Sequence, residues 1–349
     1  NILIFWDHGG GSVSGYGYDE LYKSSGSMDL TEIAQALKAA GTTFDWIGFD
    51  ACLMATLETG LVCADYADYM IASEESQPGT GWYYTNWLTA LSRNTSMDTV
   101  SLGKRIVDDF VSTSTQASAS SQVSLSVVDL AELEAVVPAP LRSFSSAAND
   151  MISGNQYAVI SNARANARQF AQSSRINQID LVDFANRIGT SEAKALSQAV
   201  LSCVKVNNTN ISHAYGLSIY FPYESMSSVK TAGSTFKSVG MDAEYTKCIT
   251  SFASLCSSGQ VAASSGSYGG SGGYGQDRDL IDQGRDLFSG DCRAVQGRAA
   301  YEQVSGGFSS QTDIFHRNIG THILQDLQGA VSCRVDPVIF QQDFGPRYQ

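Results

Sequence analysis

A histidine and a cysteine each follow an apolar segment that has the composition of a buried strand. His8 follows the run 1–6 and is itself followed by three glycines, and Cys52 follows the run 44–49. A cysteine thiolate attacks carbonyl carbons well, and a neighbouring imidazole or helix amino terminus shifts a thiol toward that form. The two residue types therefore predict nucleophilic catalysis, with Cys52 as the nucleophile and His8 as general base and acid.

The segment between the two apolar runs determines whether these side chains can meet. Residues 29–40 carry Leu30, Ile33, Ala34 and Leu37 at helical spacing, so the unit is predicted as strand, helix, strand. A right-handed crossover of this kind makes the two strands parallel, and their carboxyl ends then lie at the same edge of one sheet. We therefore expect His8 and Cys52 at the same rim.

The residues beside this pair predict the supporting groups of an acyl-transfer site. A tetrahedral oxyanion needs preorganised N–H donors, and the backbone amides of Gly9 and Cys52 are candidates. Asp50 lies two residues before Cys52, on the same face of the strand, where it could tune His8 or accept bonds from backbone N–H groups. A helix predicted over 53–61 would point its amino terminus at the site.

The rest of the chain alternates strand and helix patterns up to about residue 256. Further strands are predicted at 69–72, 124–129 and 214–222, and further helices at 83–91, 97–117, 130–151 and 179–203. Such alternation is typical of an α/β layer architecture. Residues 257–275 are Ser/Gly-rich and predict a linker, so we expect a folded domain at 1–256 and a segment of unknown role at 276–349.

Charge and cysteine content exclude several classes of function. A formal net charge of −13 argues against a nucleic-acid partner and suits basic substrates better. The chain contains no apolar stretch of about 18 residues, so no membrane span is expected. The seven cysteines include no CxxC pair and indicate neither a zinc site nor a complete disulfide framework. Cys248 and Cys256 could form a disulfide or be two small buried thiols.

Four short blocks resemble those of the clostripain family of cysteine peptidases, in the order in which the family has them. They are residues 4–11, around His8, residues 48–54, around Cys52, and the blocks 178–184 and 216–222. The resemblance covers about residues 1–256. It implies a caspase-like sandwich, a mostly parallel central sheet flanked by helices, related to gingipain, legumain and the caspases. It also implies a Cys52/His8 dyad, cleavage after Arg or Lys, and an acid beside the cysteine that Asp50 matches.

Cleavage after a basic residue requires a carboxylate in the substrate pocket, because an unpaired guanidinium is costly to desolvate. Glu74 and Glu75, in the loop after the third predicted strand, are the candidates. Asp19 and Glu20, in the loop after His8, are alternatives. Trp82 or Tyr83 could supply an aromatic wall.

The resemblance also implies expectations about maturation and location. Lys23 is the first basic residue after His8 and precedes small, flexible residues, so the Lys23–Ser24 bond is a candidate for internal cleavage. The family further implies a preceding light chain or segment and a secreted or cell-surface bacterial protein. We assign no cofactor; a calcium site is possible by family analogy and would have to be built from separated carboxylates.

Two other functions stay open at this point. A thiol hydrolase acting on non-peptide amides or thioesters would use the same rim chemistry. A non-catalytic caspase-like module would use the Gly/Tyr loop at 9–18 and the Ser/Gly segment for binding or surface attachment.

Overall fold

The computed structural model describes residues 1–19 and 21–261, and within them the chain forms two sheets. Strands β1, β2, β3, β4 and β6 form a five-stranded sheet in that spatial order, and β5 pairs with β7 in a second, two-stranded sheet. The strands are β1 (Ile2–Trp6), β2 (Phe44–Asp50), β3 (Ala67–Ala72), β4 (Ser124–Asp129), β5 (Gln178–Asp180), β6 (Val204–Thr209) and β7 (Ser218–Tyr220).

Helices fill the connections between these strands and cover both faces of the large sheet. They are α1 (Gly11–Ser14), α2 (Leu30–Ala40), α3 (Leu57–Ala64), α4 (Tyr84–Arg93), α5 (Thr99–Ala117), α6 (Leu130–Val136), α7 (Pro138–Ser153), α8 (Tyr157–Asn166), α9 (Leu181–Ile188), α10 (Ser191–Cys203), α11 (Met226–Ser238) and α12 (Ala243–Ser257). No helix of the described residues is both long enough and apolar enough to cross a membrane.

The large sheet is mostly parallel. β1 runs parallel to β2 and β2 parallel to β3, whereas β4 is antiparallel to both of its neighbours, β3 and β6. β4 is therefore the one reversed strand of the five. The predicted fold class, a caspase-like sandwich with a mostly parallel central sheet flanked by helices, is confirmed.

Alternate residues along the strands pack into two separate cores. On one face, Leu3, Phe5, Ile47 and Phe49 belong to the larger core, which includes residues of α2, α3, α6, α7, α9, α10, α11 and α12. On the other face, Trp46, Ile71 and Val127 pack with residues of α4 and α5. Because helices cover both faces, six of the seven residues of β2 are buried, as expected for a central parallel strand.

Helix α2 fixes the direction of β2 relative to β1. Asp29 and Glu32 form a reciprocal capping box at its start, and Gly41 ends it in the left-handed conformation. The residues that bury its inner face are Leu30, Ile33 and Leu37. The predicted strand, helix, strand unit is confirmed.

Several predicted elements have different boundaries in the structure. The helix predicted over 130–151 is two helices, α6 and α7, which meet at Val137, because Pro138 cannot continue the hydrogen bonding of α6. The helix predicted over 179–203 is β5 followed by α9 and α10, since Gly189 ends α9 with a positive φ of 75°. The strand predicted over 214–222 is shorter and covers Ser218–Tyr220.

The carboxyl-terminal part of the described chain contains two helices that the sequence patterns did not indicate, α11 and α12. Helix α12 carries Cys248 and Cys256, and both are free thiols, so the disulfide alternative was wrong. The backbone after α12 turns back, and Val261 packs into the larger core. The rest of the predicted linker at 257–275 and the segment 276–349 lie outside the described residues.

Candidate active site

The register of β1 and β2 places His8 and Cys52 side by side at the end of the sheet. Trp6 pairs with Asp50 at the last position of the ladder. His8 follows β1 and Cys52 follows β2, each two residues after this last pair. Gly9 then lies directly on the cysteine backbone: a Cβ added to Gly9 would be 2.0 Å from the carbonyl oxygen of Cys52. The histidine loop and the cysteine loop are therefore in direct contact, and both side chains are partly buried.

A backbone N–H group from the loop after β3 reaches the cysteine sulfur. The amide nitrogen of Gln77 donates to Cys52 Sγ at 3.1 Å. The Gln77 side chain is buried, and its Nε2 donates to the carbonyl oxygen of Phe49 at 3.3 Å, which fixes the loop to β2. A donor in this position stabilises negative charge on the sulfur.

The residue after Cys52 turns the chain away from helical geometry. Leu53 has a φ of 67°, a left-handed conformation that is uncommon outside glycine. Its N–H donates to the carbonyl of Glu75 at 3.3 Å, and its own carbonyl accepts from Gln178 Nε2 at 3.0 Å. Helix α3 begins only at Leu57, with Thr56 as its N-cap. The prediction that a helix amino terminus directly follows the thiol was therefore wrong.

A small apolar core lies beside Cys52 and contains Leu53, Phe170, Ile176, Ile211 and Ala214. Within the described residues, six non-glycine residues have a positive φ, and five belong to the segments that meet here: Leu53, Ala171, Arg175, Asn177 and His213. Backbone strain of this kind accumulates where the surrounding structure must hold a functional loop in one geometry. The cysteine loop thus packs against segments that have strained backbone conformations and a buried apolar core.

Asp50 is buried beside the rim and is held by the loop that precedes α4 and by the first residue of that helix. Both of its carboxylate oxygens lie 3.2 Å from the N–H of Trp82, and Tyr84 donates its hydroxyl to Oδ2 at 3.0 Å. Burial raises the pKa of Asp50 to about 6, against the lowering effect of these two donors. In the structure, Asp50 thus accepts hydrogen bonds from a backbone N–H and a tyrosine hydroxyl. Its action as a supporting acid stays a prediction.

Glu74 points into the protein and joins a pair of carboxyl groups. Its Oε2 accepts the N–H of Gly216 at 2.8 Å, and only 1% of the residue is exposed. Burial, together with the neighbouring Asp180, raises the pKa of Glu74 well above its usual range. Burial also raises the pKa of Asp180, to about 7. The proximity of the two carboxyl groups ties the loop after β3 to β5.

Glu75 lies nearer the rim than its neighbour and is only partly buried. Its Oε1 accepts the N–H of Ala171 at 3.1 Å, and burial raises the pKa of this carboxyl. Its backbone carbonyl is the partner of the Leu53 N–H group. Of the two candidate specificity residues, Glu75 is the one in contact with the cysteine loop.

The remaining candidates lie in the loops around the site. Asp19 accepts the N–H groups of Leu21 and Tyr22, so it stabilises its own turn, and Glu20 lies outside the described residues. Trp82 is buried, whereas Tyr83 is 41% exposed.

Lys23 lies in an exposed turn that is closed at its base by backbone hydrogen bonds. It starts the short 3-10 turn Lys23–Ser25, in which no residue is buried. Tyr16 and Met28 exchange two backbone bonds, of 2.9 and 2.8 Å, on either side of this segment. The predicted cleavage bond is therefore accessible, and the chain is anchored before and after it.

Sequence reasoning missed three residues of the site. Gln77 acts through its backbone N–H, which no residue pattern reveals, and Tyr84 carried no signal beyond its place in a predicted helix. Gln178 had one signal, its place in the third block that resembles the clostripain family. Within the part of the chain that the structure describes, no group of three or more His, Cys, Asp or Glu side chains could hold a metal ion.

Comparison with solved structures identifies proteins that share the fold of this chain. The chain is similar to a secreted C11 cysteine protease from Bacteroides thetaiotaomicron, solved in complex with an irreversible peptide inhibitor. The identity is 22% and the TM-score 0.50, over 69% of this chain and 72% of that one. It is also similar to an inactive zymogen C11 protease from Parabacteroides distasonis, at 20% identity and a TM-score of 0.52, over 71% of this chain and 69% of that one.

These likenesses show a shared fold, and the family model identifies the chain more directly. A search among curated proteins gave no significant match. The model of the clostripain family, peptidase group C11, matches residues 1–253 of the 349. The chain therefore belongs to the clostripain family of cysteine peptidases.

Proposed function

We propose that the protein is an endopeptidase in which Cys52 is the nucleophile and His8 the general base and acid. The observation that carries this proposal is the contact between Gly9 and the Cys52 carbonyl at the ends of two paired parallel strands. This contact holds the two loops at one rim. There an imidazole and a thiol can act on the same peptide bond.

The reaction follows from the roles of the two side chains. His8 takes the thiol proton as Sγ of Cys52 bonds to the scissile carbonyl carbon, and the resulting oxyanion is stabilised by N–H groups of Gly9 and Cys52. His8 then protonates the leaving amine, and the C–N bond breaks to leave a thioester. Water attacks this thioester, gives one proton to His8, and releases the acid product as the proton returns to sulfur.

We further propose that the substrate has Arg or Lys before the cleaved bond. Two acids flank the cysteine loop, and no basic side chain of the described residues lies at hydrogen-bond distance from either. Asp50 accepts from Trp82 and Tyr84, and Glu75 accepts the N–H of Ala171. Glu74 is a weaker candidate, since it is buried and already accepts the N–H of Gly216, and burial beside Asp180 raises its pKa. Because the pKa of Asp50 is about 6, its attraction for a cation should grow as the pH rises through that value.

Maturation and location complete the proposal. Lys23 is a basic residue in an exposed turn, so the Lys23–Ser24 bond suits a peptidase of this specificity acting on its own chain. Of the two similar structures, one is described as secreted and the other as a zymogen. We propose the same for this chain: a secreted bacterial enzyme matured by internal cleavage, with its peptidase domain at 1–256.

The test compares single-residue variants on fluorogenic peptides with Arg, Lys or Leu before the reporter. Cys52→Ala and His8→Ala should abolish cleavage while leaving the melting temperature close to that of the parent. Cys256→Ala is the matched control, because this thiol is similarly exposed but lies on α12. Full cleavage by either Cys52→Ala or His8→Ala would refute the dyad.

A second arm addresses specificity and the two other functions. Asp50→Asn and Glu75→Gln should each lower kcat/KM for Arg more than for Leu, and equal losses would remove that acid from the proposal. A parent protein that alkylates rapidly at Cys52 but cleaves no peptide would support a thiol hydrolase. One that neither alkylates selectively nor cleaves would support a binding module.

A further inference from the structure

Gln178 is a wholly buried amide that touches both catalytic loops, although it lies far from them in the sequence. Its Nε2 donates to the carbonyl oxygen of Leu53 at 3.0 Å and to Ser218 Oγ at 3.1 Å. Its Oε1 occupies the space beside Gly11 that a side chain there would need: a Cβ at Gly11 would lie 1.5 Å from it. One side chain therefore contacts the loop after His8, the loop after Cys52, and β7.

The bond to Leu53 supports an unfavourable backbone conformation. A left-handed conformation is unfavourable for a non-glycine residue, and such residues persist only where neighbouring groups hold them. In Leu53 the N–H is bound by Glu75 and the carbonyl by Gln178. The conformation of Leu53 in turn determines where Cys52 and its carbonyl lie, and that carbonyl is the atom packed on Gly9.

The contact with Gly11 supports the other loop. Gly11 has a φ of 73°, and it begins the short turn α1 that leads the chain away from His8. Because the amide oxygen of Gln178 lies against it, the turn cannot move inward without displacing that side chain. The two loops are thus joined at two points, at Gly9 with Cys52 and through Gln178 between Gly11 and Leu53.

We infer that Gln178 is a positioning residue that fixes the distance and orientation between the imidazole of His8 and the thiol of Cys52. The inference rests on the proposed peptidase function. Gln178 acts through its bond to the Leu53 carbonyl and its contact with Gly11, that is, through the backbone of the two loops. A misplacement of about 1 Å in such a pair lowers the rate about 100-fold.

The experiment replaces Gln178 by Met, which keeps the length of the side chain and removes its donor. Asn149→Leu is the control, because Asn149 is also a buried amide with one backbone bond, to Glu244, but lies on α7. We expect Gln178→Met to lower kcat about 100-fold with KM changed less than threefold. Asn149→Leu should keep kcat within threefold of the parent at a temperature where both variants are folded.

Hydrogen exchange gives a readout that does not depend on cleavage. In Gln178→Met, amide exchange should accelerate together in peptides covering 8–13 and 52–56, whereas Asn149→Leu should leave both unchanged. Ser218→Ala removes the second partner of the Gln178 amide and should give a smaller acceleration in both peptides.

The outcomes separate this inference from the proposed function. If the parent cleaves no peptide but the exchange of both segments rises in Gln178→Met, the positioning contact stands and the peptidase proposal fails. If the parent cleaves and Gln178→Met keeps its kcat, or if exchange rises in neither segment, the inference is overturned.

Discussion

Replacing Gly9 by Ala tests the contact on which the candidate site depends. An added Cβ would lie 2.0 Å from the Cys52 carbonyl oxygen and 3.0 Å from the backbone nitrogen and carbonyl carbon of the same residue. Cβ atoms in folded proteins do not approach other atoms more closely than 3.0 Å. Since all three opposing atoms are backbone, no side-chain rotation relieves the overlap, and the two loops must separate by about 1 Å.

The size of the effect follows from that separation. A displacement of about 1 Å between catalytic groups lowers the rate about 100-fold, and overpacking of this kind destabilises a protein by about 1–3 kcal/mol. We therefore expect Gly9→Ala to fold, to melt at a lower temperature, and to cleave an Arg or Lys reporter with kcat/KM reduced about 100-fold. The measurements are steady-state kinetics and urea unfolding.

The control for this variant is another glycine. Gly233 lies inside α11, and a Cβ there would meet nothing within 4 Å. Gly233→Ala should keep full activity and gain about 0.5–1 kcal/mol, because alanine favours a helix interior. Wild-type activity in Gly9→Ala would show that the histidine and cysteine loops need not touch, and the assignment of the site would fail with it.

Three further predictions concern processing and stability. Lys23→Ala should block internal cleavage at the exposed turn, and Cys52→Ala should do the same if the chain cuts itself; a Cys52→Ala preparation still cut there without added protease would exclude self-cleavage. Glu58 is fully buried, and burial raises its pKa, so the folded chain holds this proton more tightly and loses stability as the pH rises above about 4.5. In urea unfolding, Glu58→Gln should then gain stability relative to the parent as the pH is raised above about 4.5; a difference that does not change with pH would contradict this. Arg164 is buried, with bonds to Phe221, Gln169 and Asn177, so Arg164→Met should lose about 2–4 kcal/mol by stranding these acceptors; a loss below 1 kcal/mol would show that they find other partners.

The sequence was most informative where local pattern and tertiary burial agree. α2 has its cap residues, its buried face and its terminal glycine within one short segment, and β2 begins at the first residue of the apolar run 44–49 and ends one residue after it. The rule that parallel strands end at a common edge then brought His8 and Cys52 together without any structural information. This part of the site followed from periodicity and handedness alone.

The sequence was least informative where a residue adopts a conformation that its neighbours impose. Leu53 adopts a left-handed conformation although it is not a glycine. The residue pattern from Leu53 onward instead favours a helix that begins at Leu53. The partners that prevent this, Glu75 and Gln178, lie in other segments of the chain. β5 was missed for a related reason, since three residues form a strand there only because β7 pairs with them.

Charge alone also gave an incomplete picture of the acids. Glu74 and Glu75 are adjacent and identical in type, so no pattern separates them, yet Glu74 is buried beside Asp180 and Glu75 lies against the cysteine loop. What distinguishes them is the alternation of side chains as the chain leaves β3. Glu74 accepts the N–H of Gly216 and lies beside Asp180, and both neighbours could be identified only from the folded chain.

The paired backbone bonds between Tyr16 and Met28 have a consequence for any nicked form of the protein. A cut after Lys23 falls inside the closed turn, so the new ends are free while each fragment stays anchored in the body, one through β1 and the other through α2 and β2. The product would migrate as two bands under denaturing conditions yet keep the mass of one molecule in its native state. Scission at this point would leave the imidazole and the thiol on different polypeptides that remain neighbours.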